Sequence, residues 1–252
     1  MFIKTGQNFK LTIEYDGTPF HGWQRQKNNR TVQEEIEKAL KIMTCGHVTL
    51  RGASRTDAGV HALGQIANFF CNTRLDSETL HKGLNKLTHN AIVIRDCERV
   101  ANTFSAQFDA QSKLYRYRIL NRPCPCAIGR QYAWHYNRTL DLASMRRALT
   151  HIIGLHDFKA FEGAGSPRAH SIRHVLNAVI TRQADGYIIF EIEGVGFLKH
   201  MVRNIVGTLA DVGSGRLTPD DVRAIRLSKD RKQAGLNAPA HGLFLVKIKY
   251  KL

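Results

Sequence analysis

Two kinds of hydrophobic spacing alternate along the chain, and they divide it into two runs of the same order. Leu11, Ile13 and Tyr15 alternate with Lys10, Thr12 and Glu14, which predicts a strand over Phe9–Gly17 ending in an Asp-Gly turn. Thr31 and Glu34 have the spacing of a capping box. Behind them Val32, Ile36, Leu40 and Met43 share one helical face, and Gly46 suits the exit. Val48–Ser54 and Gln65–Cys71 read as strands on either side of a polar loop. Asp76 or Ser77 then opens a helix carrying Leu80, Leu84 and Leu87, and Ala91–Val100 is a further strand.

The second run begins with a strand over Lys113–Leu120 and a helix capped by Asp141, bearing Met145, Leu149 and Ile152 and stopped by Gly154. Ser171–Arg182 and Tyr187–Gly194 are strands joined by an Ala-Asp-Gly turn, a hairpin signal. Phe197–Val212 predicts a helix with Met201, Ile205, Val206 and Leu209 inward. Thr218-Pro219 opens another, and Gly242–Lys249 closes the chain as a strand. Each run has the β-α-β-β-α-β order of a ferredoxin-like unit. The expected fold class is therefore α+β: two ferredoxin-like halves, 1–105 and 106–252, forming a mixed, mainly antiparallel sheet with a cleft between them. The linker is expected over Arg99–Gln111, and a cleft between domains is a preferred ligand site.

Charge narrows the function. The 252 residues hold 37 Lys and Arg against 21 Asp and Glu, a formal +16. Residues 1–110 carry 14 basic against 11 acidic side chains, and residues 111–252 carry 23 against 10. An excess concentrated in one half points to a polyanion, most simply a nucleic acid, met by a dedicated face. No polybasic run lies beside an amphipathic helix, which argues against a membrane surface. Cys45, Cys71, Cys97, Cys124 and Cys126 are odd in number and scattered, so a reducing cytosol is expected and a disulfide framework is not. Cys124-Pro-Cys126 lacks zinc-site spacing. The start, MFIKTGQNFK, has no apolar core of signal-peptide length, and a soluble, cytoplasmic protein is expected.

The densest polar chemistry lies in Arg51–Gln65, RGASRTDAGVHALGQ, where Arg51, Arg55, Asp57 and His61 sit among three glycines. Glycines allow close backbone approach and positive φ, and a charged loop held between strands is a usual home for function. Asp57 has no second acid at short range, which removes support for a glycosidase pair. Asp57 and His61 alone make an incomplete metal site. A single Asp acts as nucleophile or base when an adjacent cation keeps it ionised, and Arg55 and Arg203 are the cations considered. Lys113–Arg118 alternates so that Tyr115 and Tyr117 share one face, and Arg116 and Arg118 the other. Those tyrosines serve either as base-stacking platforms or as core. Lys199 and Arg203 have i, i+4 spacing on the predicted helix. Phe20, His21 and Trp23 interleave with Arg25, Lys27 and Arg30 in the loop before Thr31.

Six segments in order resemble one family: IEYDGTPFHGWQRQ (13–26), TVQEEIEKAL (31–40), GASRTDAGVHALGQ (52–65), FSAQFDAQSKLYRYRI (104–119), GFLKHMVRNIVGTL (196–209) and GLFLV (242–246). The chain is similar over almost its whole length to the tRNA pseudouridine synthases of the TruA type, and RTDAGVHA is the most diagnostic piece. FSAQFDA departs from the more basic HARFSA-like run of many relatives. The resemblance implies an isomerase that converts uridine to pseudouridine at positions 38, 39 and 40 of the anticodon stem-loop of tRNA. It implies no metal, nucleotide or other cofactor, and a homodimer. Asp57 matches the catalytic aspartate and Tyr115 the tyrosine that stacks on the target base. Arg55 matches the arginine beside the acid, and Arg203 and Leu243 fall in the remaining pocket motifs. Asp57 attacks C1′ or abstracts a proton from C2′; the sequence leaves both open. Two other classes fit charge and aromatics alone: a non-catalytic RNA-binding or chaperone protein, and a cofactor-free hydrolase using Asp57 and His61.

Overall fold

Alternation in the first strand places Phe9, Leu11, Ile13 and Tyr15 on a buried face, and the sheet of the first unit is built around it. β1 (Gln7–Tyr15) lies between β3 (His61–Cys71) and β4 (Ile92–Val100) and runs antiparallel to both. The coordinates are a computed structural model that describes residues 6–165 and 170–251. The first residues of the expected non-signal start, 1–5, lie outside the described residues. α1 (Val32–Thr44) and α2 (Ser77–Leu87) connect these strands, β2 (Arg51–Gly52) pairs with β3, and β10 (Leu243–Tyr250) lies beside β3. The order β4-β1-β3-β2 is that of a ferredoxin-like unit.

The second unit carries β5 (Ala110–Leu120), β6 (Trp134–His135), α3 (Leu142–Leu149), β7 (Gly154–Asp157), β8 (Ile172–Arg182), β9 (Tyr187–Gly194), α4 (Met201–Gly213) and α5 (Asp221–Ser228). Its strands are ordered β5-β9-β8-β7, each antiparallel to its neighbour, with β6 parallel to β5. The fold class is α+β. The chain divides into compact units of Met1–Gln111 with Leu245–Leu252, and Ser112–Phe244. Among the described residues no helix is long and apolar enough to cross a membrane.

Several expected boundaries move, each for a local reason. The strand expected over Val48–Ser54 pairs only at Arg51 and Gly52, while β3 begins at His61, four residues before its expected start. α1 ends on Cys45, which itself takes the left-handed conformation (φ 52°) expected of Gly46. α3 stops at Leu149; Ile152 is buried beyond it, and Gly154 (φ 114°) opens β7 instead of ending a helix. α4 begins at Met201 and not Phe197, because His200 has φ 60° and interrupts the helical run. Lys199 and Arg203 are therefore not a pair on one helix. Lys199 Nζ donates to Ala164 O at 2.9 Å. Of the three leucines on α2, Leu80 and Leu84 are buried and Leu87 is exposed.

The segment expected to be a linker, Arg99–Gln111, is bound down within the first unit. Asn8 on β1 and Asn68 on β3 are fully buried, and Asn68 Nδ2 donates to Asn8 Oδ1 at 2.8 Å. Asn8 Nδ2 donates to the carbonyls of Ala101 and Phe104 (2.9 and 3.0 Å), and Ala106 N–H donates to Asn68 Oδ1 (3.0 Å). The Tyr250 hydroxyl donates to Ala106 O at 2.7 Å. Buried amides satisfied in this way fix a single register for the segment.

Candidate functional site

The polar loop over 53–60 is held at almost every turn by partners from elsewhere in the first unit. Ala53 N–H donates to Ile66 O (2.8 Å), continuing the β2–β3 pairing. Gln65, fully buried on β3, accepts from Ser54 N–H (3.3 Å) and donates to Ser54 O (2.8 Å). The Thr56 carbonyl accepts from Trp23 N–H (3.1 Å), and its hydroxyl meets the Tyr15 hydroxyl at 2.8 Å, both residues buried. Val60 N–H then returns to Asp57 O at 3.1 Å. Gly59 takes φ 75°, a conformation that favours glycine. Asp57 is half-buried at the turn of this loop, and Arg55 and Arg51 are exposed.

His61, the first residue of β3, is buried and faces the neighbouring turn. Gly17 N–H lies 3.0 Å from its Nδ1, and Asp16 Oδ1 lies 3.0 Å from the same nitrogen. Asp16 in turn accepts from the Thr18 N–H and hydroxyl (2.9 and 2.6 Å). His61 shapes the turn beside the loop. Among the described residues no three His, Cys, Asp or Glu side chains gather into a metal site.

The aromatic and basic loop before α1 is a structural support. Phe20 and Trp23 are buried, and only His21 of the three aromatic positions is exposed. The first N–H groups of a helix lack intrahelical partners. Here Val32 N–H donates to Gly22 O (3.2 Å), Gln33 N–H to Trp23 O (3.0 Å), and Glu34 N–H to Thr31 Oγ1 (3.4 Å). Two buried polar residues of α1 complete the join. Gln33 Oε1 accepts from Arg25 N–H (3.0 Å), and Glu37 accepts from Leu50 N–H (2.9 Å) and pairs with Arg25 at 2.6 Å. Gln33 and Glu37 gave no sequence signal beyond their i, i+4 spacing beside the apolar stripe.

In the second unit the alternation of β5 holds. Tyr115 and Tyr117 are buried on one face, while on the other Arg116 pairs with Glu191 (2.8 Å) and Arg118 lies over the Tyr187 ring (4.9 Å). Tyr115 packs edge-on against Phe197, with ring centroids 5.2 Å apart. The Tyr117 hydroxyl donates to Pro239 O at 2.7 Å, and burial pushes its pKa well up, with the Arg203 charge pulling against that. Arg203, on α4, donates from Nε to Ala238 O (2.7 Å) and accepts at its carbonyl from Ala238 N–H (3.2 Å). Leu243 is buried at the start of β10. Burial also lowers the His241 pKa; a backbone hydrogen bond with Ala133 opposes this, and the Arg203 charge adds to it.

Asn204 and Thr208, next to Arg203 on α4, tie the helix to its surroundings. Asn204 Nδ2 donates to Phe161 O (2.8 Å), its Oδ1 accepts from Arg231 Nη2 (2.9 Å), and Gly235 N–H donates to Thr208 Oγ1 (2.9 Å). Lys159, Lys229 and Arg231 line a cavity of about 440 Å³ with Glu162 and the Gly163, Ala164 and Gly165 backbone, a concave surface with more positive than negative groups. Asp57 and Arg55 thus share one loop of the first unit, and Tyr115, Arg203 and Leu243 belong to the second.

The comparisons with known proteins agree on one family. The family model described as tRNA pseudouridine synthase matches residues 11–109 and 148–251. Proteins named tRNA pseudouridine synthase A from Acetivibrio thermocellus and from Thermoanaerobacter sp. (strain X514) are each 46% identical over 97% of this chain and 100% of their own length. The corresponding protein of Clostridium acetobutylicum is 44% identical over the same shares. The α+β chain is thus an isomerase. The chain belongs to the tRNA pseudouridine synthase family.

Proposed function

We propose that this enzyme isomerises uridine to pseudouridine at positions 38, 39 and 40 in the anticodon stem-loop of tRNA, with Asp57 as its catalytic group. The observation that carries the reading is the RTDAGVHA loop, with Asp57 on a backbone held on both sides by buried partners, in a chain of this family. The reaction breaks the C1′–N1 bond and forms C1′–C5, C5 loses a proton, and N1 gains one. It is balanced without a redox partner. Asp57 either attacks C1′ or takes a proton from C2′; both need one ionised carboxylate held still against the sugar.

The roles of the other residues follow from their chemistry. Tyr115 stacks on the extruded uracil, worth about 1–3 kcal/mol, and its edge contact with Phe197 supports the ring. Taking a base out of a stem costs a few kcal/mol. Arg55, exposed on the same loop as Asp57, lowers that cost by holding the opened stem and pairs with the acid. Arg203 and Leu243 complete the pocket wall. The basic surface of residues 111–252, including the cavity of Lys159, Lys229 and Arg231, binds backbone phosphates. The family resemblance supports a homodimer in the cytoplasm, with halves at 1–105 and 106–252.

The test is incubation with tRNA carrying tritium at uracil C5, following its release. Release from transcripts with uridine at 38, 39 or 40 is expected, and its absence from all three overturns the proposal. Asp57→Asn is expected to abolish release and leave tRNA binding largely intact. Binding that collapses together with turnover makes Asp57 structural.

A further inference from the structure

Tyr15 ends β1 at a place where the β1–β3 ladder is irregular. Ile13 stands opposite Gln65, and a regular ladder would then place Tyr15 opposite Leu63; instead Tyr15 stands opposite Ala62. The extra residue in β3 is a bulge, a feature that re-aims side chains and recurs beside active sites. It brings the Tyr15 hydroxyl to 2.8 Å from the hydroxyl of Thr56, the residue directly before Asp57. Both residues are at least nine-tenths buried. The Thr56 carbonyl is held separately by Trp23 N–H, and Gly22 packs against the same stretch: a Cβ there would lie 2.6 Å from Thr56 O and 3.1 Å from Asp57 C. Trp23 is itself packed on Tyr15, with ring centroids 6.1 Å apart.

We propose that Tyr15 is a positioning residue for the isomerisation, setting the reach of Asp57 through its hydroxyl bond to Thr56. This inference rests on the reading of Asp57 as the catalytic group. The Thr56 side chain is rigid about χ1 because it is β-branched. Fixing its hydroxyl therefore fixes the orientation of its Cα and of the peptide leading to Asp57. A displacement of about 1 Å at a reacting group costs on the order of a hundredfold in rate, so a single hydroxyl pair on the residue directly before the acid has leverage on kcat.

The experiment compares Tyr15→Phe, Thr56→Ser, Thr56→Val and the double variant Tyr15→Phe/Thr56→Val, using tritium release from tRNA and urea denaturation. Tyr15→Phe keeps the ring on Trp23 and removes only the hydroxyl. It is expected to lower kcat by roughly tenfold to a hundredfold, with KM within about twofold and a reduced denaturation midpoint. Thr56→Ser keeps the hydroxyl and is expected to keep kcat within about threefold. Removing one partner of a buried pair strands the other, whereas removing both restores a consistent apolar contact. The double variant is therefore expected to recover the denaturation midpoint without recovering kcat. Recovery of kcat together with stability makes the pair merely structural and overturns the inference, as does a Tyr15→Phe enzyme with wild-type kcat. Failure of the underlying reading looks different: wild-type enzyme that releases no tritium, or Asp57→Asn that still does.

Discussion

Gln65 grips the backbone of Ser54 with both ends of its amide, accepting from N–H at 3.3 Å and donating to the carbonyl at 2.8 Å. The side chain stands in for a neighbouring strand where β2 has already ended, and so keeps the start of the Asp57 loop closed. Gln65→Ala leaves two backbone groups of Ser54 short of partners in a part-buried place. The expected loss is about 1–3 kcal/mol of unfolding free energy, measured by urea denaturation, with a fall in tritium release at saturating tRNA. A variant as stable and as active as wild type contradicts this view of the loop.

Gly22 supplies the other wall of the loop. Its φ is +90°, and a Cβ would lie 2.6 Å from Thr56 O, a backbone atom that cannot swing aside. Gly22→Ala combines strain with a clash and is expected to destabilise by about 2 kcal/mol. Gly196, where a Cβ would meet nothing within 4 Å, is the control. Gly196→Ala is expected to change thermal stability by less than about 0.5 kcal/mol. Equal losses at the two positions would separate stability from the contact with Thr56.

In the second unit the corresponding weak point is Asn204. It is 1% exposed, its amide donates to Phe161 O, and its oxygen accepts from Arg231, whose pKa burial holds below the ordinary value. Asn204→Leu fills the space and strands both partners, one of them a partly buried cation. A loss of about 2–4 kcal/mol is expected, read from denaturation of the full-length chain. Arg231→Met in the same background removes the stranded charge and is expected to recover part of that loss.

The elements that sequence reading located well are those whose cause is local. The alternation of β1 and β5, the Ala-Asp-Gly turn before β9, and the Asp76 and Asp141 caps need only a few neighbouring residues to be recognised. The Asp57 loop was also visible, because its glycines and charges are contiguous. What holds that loop was not visible. Tyr15 and Thr56 are 41 residues apart, and nothing in either position advertises a shared hydrogen bond. Phe20 and Trp23 lie close in sequence to Arg25, Lys27 and Arg30, and that interleaving does not tell core from surface. They are core because the loop's carbonyls supply the first N–H partners of α1 and draw its aromatic side chains inward. The start of α4 was misplaced for a similar reason: apolar periodicity runs back to Phe197, but His200 is left-handed, which no periodicity reports.

Asp141 gives the fold a pH dependence of known sign. The Ser144 hydroxyl (2.5 Å) and then Ala143 N–H (2.9 Å) hold its carboxyl below the ordinary carboxylate range. A depressed folded-state pKa stabilises the fold fully above the unfolded value of about 3.9 and loses that contribution as pH falls through the folded value. Asp141→Asn keeps a capping oxygen but binds no proton. The Tm advantage of wild type over this variant is expected to be largest near neutral pH and to narrow steadily below about pH 4. A gap that is constant between neutral and acid pH would mean that the carboxylate charge contributes nothing to the cap.

The proposed role of Arg55 can be tested by separating binding from base extrusion. Arg55 is exposed, so Arg55→Ala is expected to leave unfolding free energy within about 0.5 kcal/mol of wild type. Its proposed role is to hold a stem open beside Asp57, and opening costs a few kcal/mol only when the target is paired. Two hairpins that differ in one nucleotide, so that the target uridine is paired in one and unpaired in the other, isolate that cost. Arg55→Ala is expected to lower kcat/KM on the paired hairpin at least about tenfold more than on the unpaired one. A phosphate contact made by Arg55 alone would weaken both hairpins alike and lower the slope of log K against log salt by about 1. Equal losses without a change in that slope would instead assign Arg55 to the acid, where it acts on Asp57 whatever the pairing of the target.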